Sequence, residues 1–114
     1  MKNYVYDAKV VRVVDGDSVW LEVDLGFRMS FRDNFRLLGI DTPELNSSDA
    51  EIRVSAQAAK AHLETILPVG QKVTISTSKP GKYGRWLADI YVEGISETVN
   101  SHMVEAGYAK IYGS

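Results

Sequence analysis

The chain contains no cysteine. Disulfides, thiolate nucleophiles and cysteine-built zinc sites are excluded, and so is a disulfide-linked partner. That absence fits a reducing compartment. No apolar run reaches the roughly 18 residues expected of a helical membrane span, so no membrane association is expected. The opening MKNYVYDAKVVRVVDGD has one lysine but no apolar stretch followed by a small-residue cleavage site. It does not read as a signal peptide, and a cytoplasmic location is expected unless a leader has been removed. Positive charge is not in surplus. Thirteen Lys and Arg face fifteen Asp and Glu, for a net charge of -2. A protein that coats nucleic acid nonspecifically needs many phosphate-neutralising cations, so that class is disfavoured, while a local basic groove beside an acidic cluster stays open. Repeats, low-complexity tracts and linkers are also missing, and 114 residues suit one domain spanning positions 1–114.

What is present is strong patterning. Residues 4–14, YVYDAKVVRVV, are rich in β-branched and aromatic side chains and read as a strand. A DGD hairpin signal leads into SVWLEVDLG, where Val19, Leu21, Val23 and Leu25 alternate against Ser18, Trp20, Glu22 and Asp24. After Gly26 the alternation continues, with Phe27, Met29 and Phe31 on one face, and Asp33-Asn34 is a candidate bulge. The strand resumes as FRLLGI and must stop near Pro43, which has no N–H to donate and turns Thr42 away from helix. Residues 49–67 carry a helical stripe of Ile52, Ala56, Ala59, Leu63, Ile66 and Leu67, with a capping box from Ser48 and Glu51 and a stop at Pro68 and Gly70. KVTIST and RWLADIYVEG read as two further strands. A short helix over about 97–106 turns Val99, Met103 and Ala106 inward and ends at Gly107. This order predicts a β-barrel plus helices, of the OB type, with five mainly antiparallel strands and two or so appended helices.

Three tracts stand out chemically. VDGDSV lacks the acidic spacing of a calcium EF-hand, since Val19 and Leu21 break that pattern, and on its own it is turn chemistry. RLLGIDTPE places Arg36, Asp41 and Glu44 around a strand end; burial alone explains Leu37 to Ile40 but not three charges in nine residues. KYGR, at 82–85, is by itself a turn with an exposed Lys and Arg. His62 and His102 lie at the edges of their helical stripes, with no second histidine at ligand spacing in sequence, and read as structural or solvated. Trp20, Trp86 and Tyr91 read as packing residues, with base stacking open to any that is exposed.

Taken in order, VDGDSV, RLLGIDTPE and KYGRWLA resemble the staphylococcal-nuclease-like (thermonuclease) family, with a helix between the second and third motifs as in that family. The resemblance runs from about Val10 to Lys110. It implies a five-stranded OB-type barrel with helices and calcium-dependent hydrolysis of phosphodiester bonds in DNA, RNA or both, leaving 3'-phosphates. By resemblance, Asp17, Asp41 and the main-chain carbonyl of Thr42 are the Ca2+ ligands. Glu44 stands beside the attacking water, Arg36 and Arg85 hold the phosphate, and Lys82 and Tyr83 contact the terminal phosphate of the nucleotide. Ser18 replaces the usual threonine, the hairpin before Arg36 is longer than in the best-known member, and the loop before Lys82 is shorter. The alternative reading is a catalytically inactive OB-fold module that binds nucleic acid or protein.

Overall fold

The computed structural model describes residues 4–78 and 84–112. Five strands close into a barrel: β1 (Tyr4–Asp15), β2 (Ser18–Gly26), β3 (Met29–Leu37), and, after an intervening strand and helix, β5 (Lys72–Thr77) and β6 (Trp86–Tyr91). Their spatial order is β1-β2-β3-β6-β5, and β1 pairs with β5 to complete the ring. The ring is not antiparallel throughout, because β3 and β6 run parallel over Phe35–Leu37 and Trp86–Ala88. A short pair, β4 (Ile40–Asp41) with β7 (Lys110–Ile111), lies outside the barrel. Helix α1 (Ala50–Ile66) packs on β1, and α2 (Val99–Glu105) packs on β6.

The core follows from the alternation. Val10, Val19, Leu21, Val23, Phe35, Leu37, Ile75, Ala88 and Ile90 point into the barrel and are buried. Ala59, Leu63 and Leu67 of the α1 segment and Val99 and Met103 of α2 complete one continuous cluster. Removing such apolar surface from water supplies the main driving force for closing the ring.

Several sequence expectations are corrected. Leu25, Phe27, Met29 and Phe31 share the inward face by alternation, yet all are exposed, Phe27 by 97% and Met29 by 60%. Phe27 lies in the hairpin turn itself, at φ 55, rather than on a strand face. For the other three the cause is topological: β1 pairs with β2 only as far as Val23, and β6 reaches β3 only at Phe35, so the β2–β3 hairpin overhangs the rim, and among the described residues no further layer covers its apolar face. Asp33-Asn34 is not a bulge. The β2–β3 register runs unbroken through Leu21↔Asp33 and Trp20↔Asn34, and the irregularities fall at Asp24/Gly26 and twice in β1. The twelve-residue β1 must bend to serve two neighbours, which is where bulges occur. The cap of α1 is Asp49 rather than Ser48. Asp49 Oδ1 accepts from the Glu51 and Ile52 N–H groups at 2.9 and 3.4 Å, satisfying two amides that have no partner within the helix. Ile52, in that first turn, lies beyond the core and is exposed, as is Ala106 at the end of α2.

Candidate active site

The site begins at the β1–β2 turn. Asp15 Oδ1 accepts the Asp17 N–H at 3.1 Å, which tightens the Asp-Gly-Asp turn. Gly16 is buried against α1, and a Cβ there would stand 2.8 Å from Ala59 Cβ and 3.0 Å from the Thr42 side chain. Only a glycine lets the helix approach the turn this closely. The Asp17 carbonyl then accepts the Leu37 N–H at 2.8 Å, fastening the turn to the end of β3.

Arg36 lies opposite Ser18 on the outer face of β3. Its guanidinium spans two acids: Nη1 donates to Asp17 Oδ2 at 3.1 Å, and Nη2 donates to Asp41 Oδ1 at 3.2 Å and to the Ile40 carbonyl at 3.1 Å. The planar fork suits this double task. Asp17 Oδ2 also accepts the Thr42 N–H at 3.2 Å. Gly39, at φ 80, makes the reversal between β3 and β4 that brings Asp41 back to Arg36. Behind it, the Tyr112 ring lies under Arg36, 5.4 Å from Cζ to the ring centre, and the Tyr112 N–H donates to the Gly39 carbonyl at 2.9 Å. From the residue just before β6, Arg85 Nη1 reaches Ser18 Oγ at 3.4 Å, so both arginines flank Ser18.

Asp17 is the most perturbed acid of this cluster. Burial, then a hydrogen bond to the Asp15 carboxyl and the charge of Asp15, push its pKa up to about 6, while Arg36 and the Thr42 N–H pull it down without prevailing. A carboxylate kept costly by burial and by an acidic neighbour is an environment that an added cation would relieve. Every donor here is oxygen, which suits a hard cation such as calcium or magnesium rather than a soft metal.

The structure thus brings Asp17, Arg36, Asp41, Thr42 and Arg85 together. Glu44 follows Pro43 with its side chain exposed, and its carbonyl accepts from Ser47 N–H at 3.3 Å. Lys82 and Tyr83 lie outside the described residues. Sequence reasoning missed two residues. Asp15 was set aside as turn chemistry, although its spacing from Asp17 was the available signal. Asn100, buried in α2, donates to the Leu38 and Ala88 carbonyls at 2.8 and 3.0 Å and accepts the Ile90 N–H at 3.1 Å. It ties α2 to β6 and to the turn after Arg36. Its signal was a polar residue three positions before inward-facing Met103.

The family described as "Staphylococcal nuclease homologue" matches residues 34–114, well over half of the chain. The chain belongs to this family. Among similar proteins, this family member is 33% identical to Endonuclease YhcR of Bacillus subtilis (strain 168), over 94% of its own length and 9% of that protein. It is 30% identical to the Thermonuclease of Staphylococcus hyicus, over 90% of its length and 57% of the relative's. It is 36% identical to a protein of Escherichia coli O157:H7 called "Uncharacterized endonuclease", over 91% and 60%. The chain therefore spans three-fifths or less of each of these proteins. The closed five-strand barrel with two helices agrees with the family's OB-like fold.

Proposed function

We propose that this family member is a calcium-dependent nuclease that hydrolyses phosphodiester bonds in DNA, RNA or both. The observation that carries the reading is the pair of arginines, Arg36 on β3 and Arg85 immediately before β6, converging on Ser18 beside two carboxylates. The names of the relatives support a nucleic-acid substrate. Asp17, Asp41 and the Thr42 carbonyl would hold Ca2+, which supplies Lewis acidity and water activation when bound.

The chain's own groups do the rest. Arg85 and Arg36 grip the phosphate, and because its negative charge grows as water adds to phosphorus, the two guanidiniums favour the transition state over the ground state. Arg36 is engaged by Asp17 and Asp41, so it exchanges a carboxylate oxygen for a phosphate oxygen when substrate arrives. Glu44, exposed three residues after Asp41, orients the attacking water or takes its proton. Lys82 and Tyr83 contact the terminal phosphate.

The test is digestion of plasmid and of single-stranded DNA and RNA with calcium, with magnesium at equal concentration, and with chelator. Cleavage with calcium, far less with magnesium and none with chelator is expected. Equal rates with the two ions would sink the calcium assignment. Binding of nucleic acid without any cleavage would favour the non-catalytic module instead.

A further inference from the structure

The chain has two histidines, and the fold brings them together although 40 positions separate them. His62 of α1 and His102 of α2 stand with their Nε2 atoms 3.0 Å apart. Their planes are inclined by only 13° and their ring centres lie 5.2 Å apart. Near-parallel rings whose nitrogens are much closer than their centres meet edge to edge, not face to face. One Nε2 donates its N–H and the other accepts it. Tyr108 lies flat on His62, 4.3 Å between ring centres, and fixes the plane of that imidazole. The carboxyls of Glu97 and Glu105 lie close to each other, which raises the Glu97 pKa above its ordinary value, and Glu97 also feels the charge of His102.

We propose that His62 and His102 form a bidentate site for a divalent transition-metal ion that bridges α1 and α2. Imidazole is the ligand of choice for copper, nickel and zinc, and these are the only imidazoles in a chain without cysteine. Two nitrogens 3.0 Å apart, each about 2.0–2.1 Å from one metal, subtend an angle of roughly 90–100° at that metal. This matches adjacent positions in the tetragonal geometry of Cu2+ or Ni2+ better than the wider tetrahedral angle of Zn2+. Binding asks a defined movement of the protein. Each ring turns by roughly 30–45° about its Nε2, so that the lone pair leaves the line joining the nitrogens and points at the metal, and the donor ring moves its proton from Nε2 to Nδ1, with no change in charge. Burial, aided by the neighbouring His102, holds the His62 pKa below its ordinary value, which keeps that ring neutral and able to ligate. Among the described residues no third His, Cys, Asp or Glu completes a closed cage, so water fills the remaining positions. The nearby Glu97–Glu105 pair supplies a favourable negative field.

This site is chemically separate from the oxygen-lined cluster around Asp17. Calcium prefers hard oxygen donors and does not compete for imidazole nitrogen. The inference therefore stands independently of the nuclease reading, and its test does not use activity.

The experiment is a titration of the whole chain with Cu2+ at pH 7.5 in a non-coordinating, calcium-free buffer. Calorimetry gives stoichiometry and affinity, and pulsed electron paramagnetic resonance counts coordinated imidazoles through their remote ring nitrogens. One Cu2+ per chain with two imidazoles is expected. Ni2+ and Zn2+ should compete for the site, and millimolar Ca2+ should leave it untouched. His62→Gln and His102→Gln should each weaken binding at least tenfold and leave at most one imidazole on the metal. One or no imidazole in the parental protein would overturn the proposal, as would parental affinity in either variant. The parental spectrum alone decides the matter if a variant fails to fold, because no other histidine exists to supply the signal.

Discussion

Replacing Asp17 with Asn should make the metal-free protein more stable at neutral pH. Asp17 is almost fully buried, and its pKa stands near 6 against an ordinary value of 3.8. Below pH 3.8 the carboxyl is protonated in both folded and unfolded chains and has no effect. Between that value and about 6 the unfolded chain releases its proton while the folded one keeps it. The folded state then binds more protons, so unfolding free energy falls as pH rises. At about 1.4 kcal/mol per unit, the full cost is on the order of 3 kcal/mol and is all present by pH 8. That figure already includes the attraction of Arg36, which offsets part of the cost of burial. Asn is nearly the same shape. Its oxygen can still accept from Arg36 Nη1 and the Thr42 N–H, and its amide can donate to Asp15.

The assay is a pair of urea melts in chelator at pH 4 and pH 8. With an urea slope of roughly 1–3 kcal/mol per molar, the variant's midpoint should exceed the parent's by about 1 M or more at pH 8. At pH 4 the two should nearly coincide. Carboxylates remote from Asp17 contribute equally to both proteins and cancel in the difference. A variant less stable than the parent at pH 8, or a difference that does not change with pH, would refute the reasoning.

Arg85→Lys keeps the charge but loses the fork, and turnover should fall at least ~100-fold, as when one oriented transition-state donor is removed, whereas Lys72→Ala, on the exposed face of β5, should leave turnover unchanged. Steady-state cleavage rates with calcium check both. Glu44→Gln should bind substrate normally yet turn over far more slowly, and unchanged turnover in a cleavage assay would remove Glu44 from the mechanism. Gly16→Ala drives a methyl to within 2.8 Å of Ala59 Cβ, so it should cost about 1–3 kcal/mol in urea melts as α1 is pushed off the turn.

The barrel was legible because strand alternation reports which side chains share a face, and Val19, Leu21, Val23, Phe35 and Leu37 obeyed it. The same signal misled at Met29 and Phe31, since alternation does not say whether another layer exists to cover that face. The clustered residues Asp17, Arg36, Asp41, Thr42 and Arg85 all fall in the three motifs that stand out in sequence, but their mutual engagement was not legible there. A guanidinium bonded to both Asp17 and Asp41 depends on the turn at Gly39 and on β4 folding back, which no local pattern encodes. The parallel β3–β6 pairing, the reach of Asn100 to Leu38 and the meeting of the two histidines likewise join segments distant in sequence. Helical periodicity placed Val99 and Met103 inward but carried no information about what Asn100 would find there.

The parallel seam between β3 and β6 also governs when the site can exist. Phe35 and Trp86 become neighbours only after about half of the chain has been gathered in, whereas the β1–β2 and β2–β3 hairpins can form locally. Closing so large a loop is entropically costly and slow, so the seam belongs to the late part of assembly. The two arginines lie on opposite sides of that seam. A nascent or partly unfolded chain can therefore carry the turn, the carboxylates and Arg36 in rough order while Arg85 is still remote. The meeting of the two arginines and the closure of the barrel are one event, so an incompletely folded copy lacks the proposed nuclease centre.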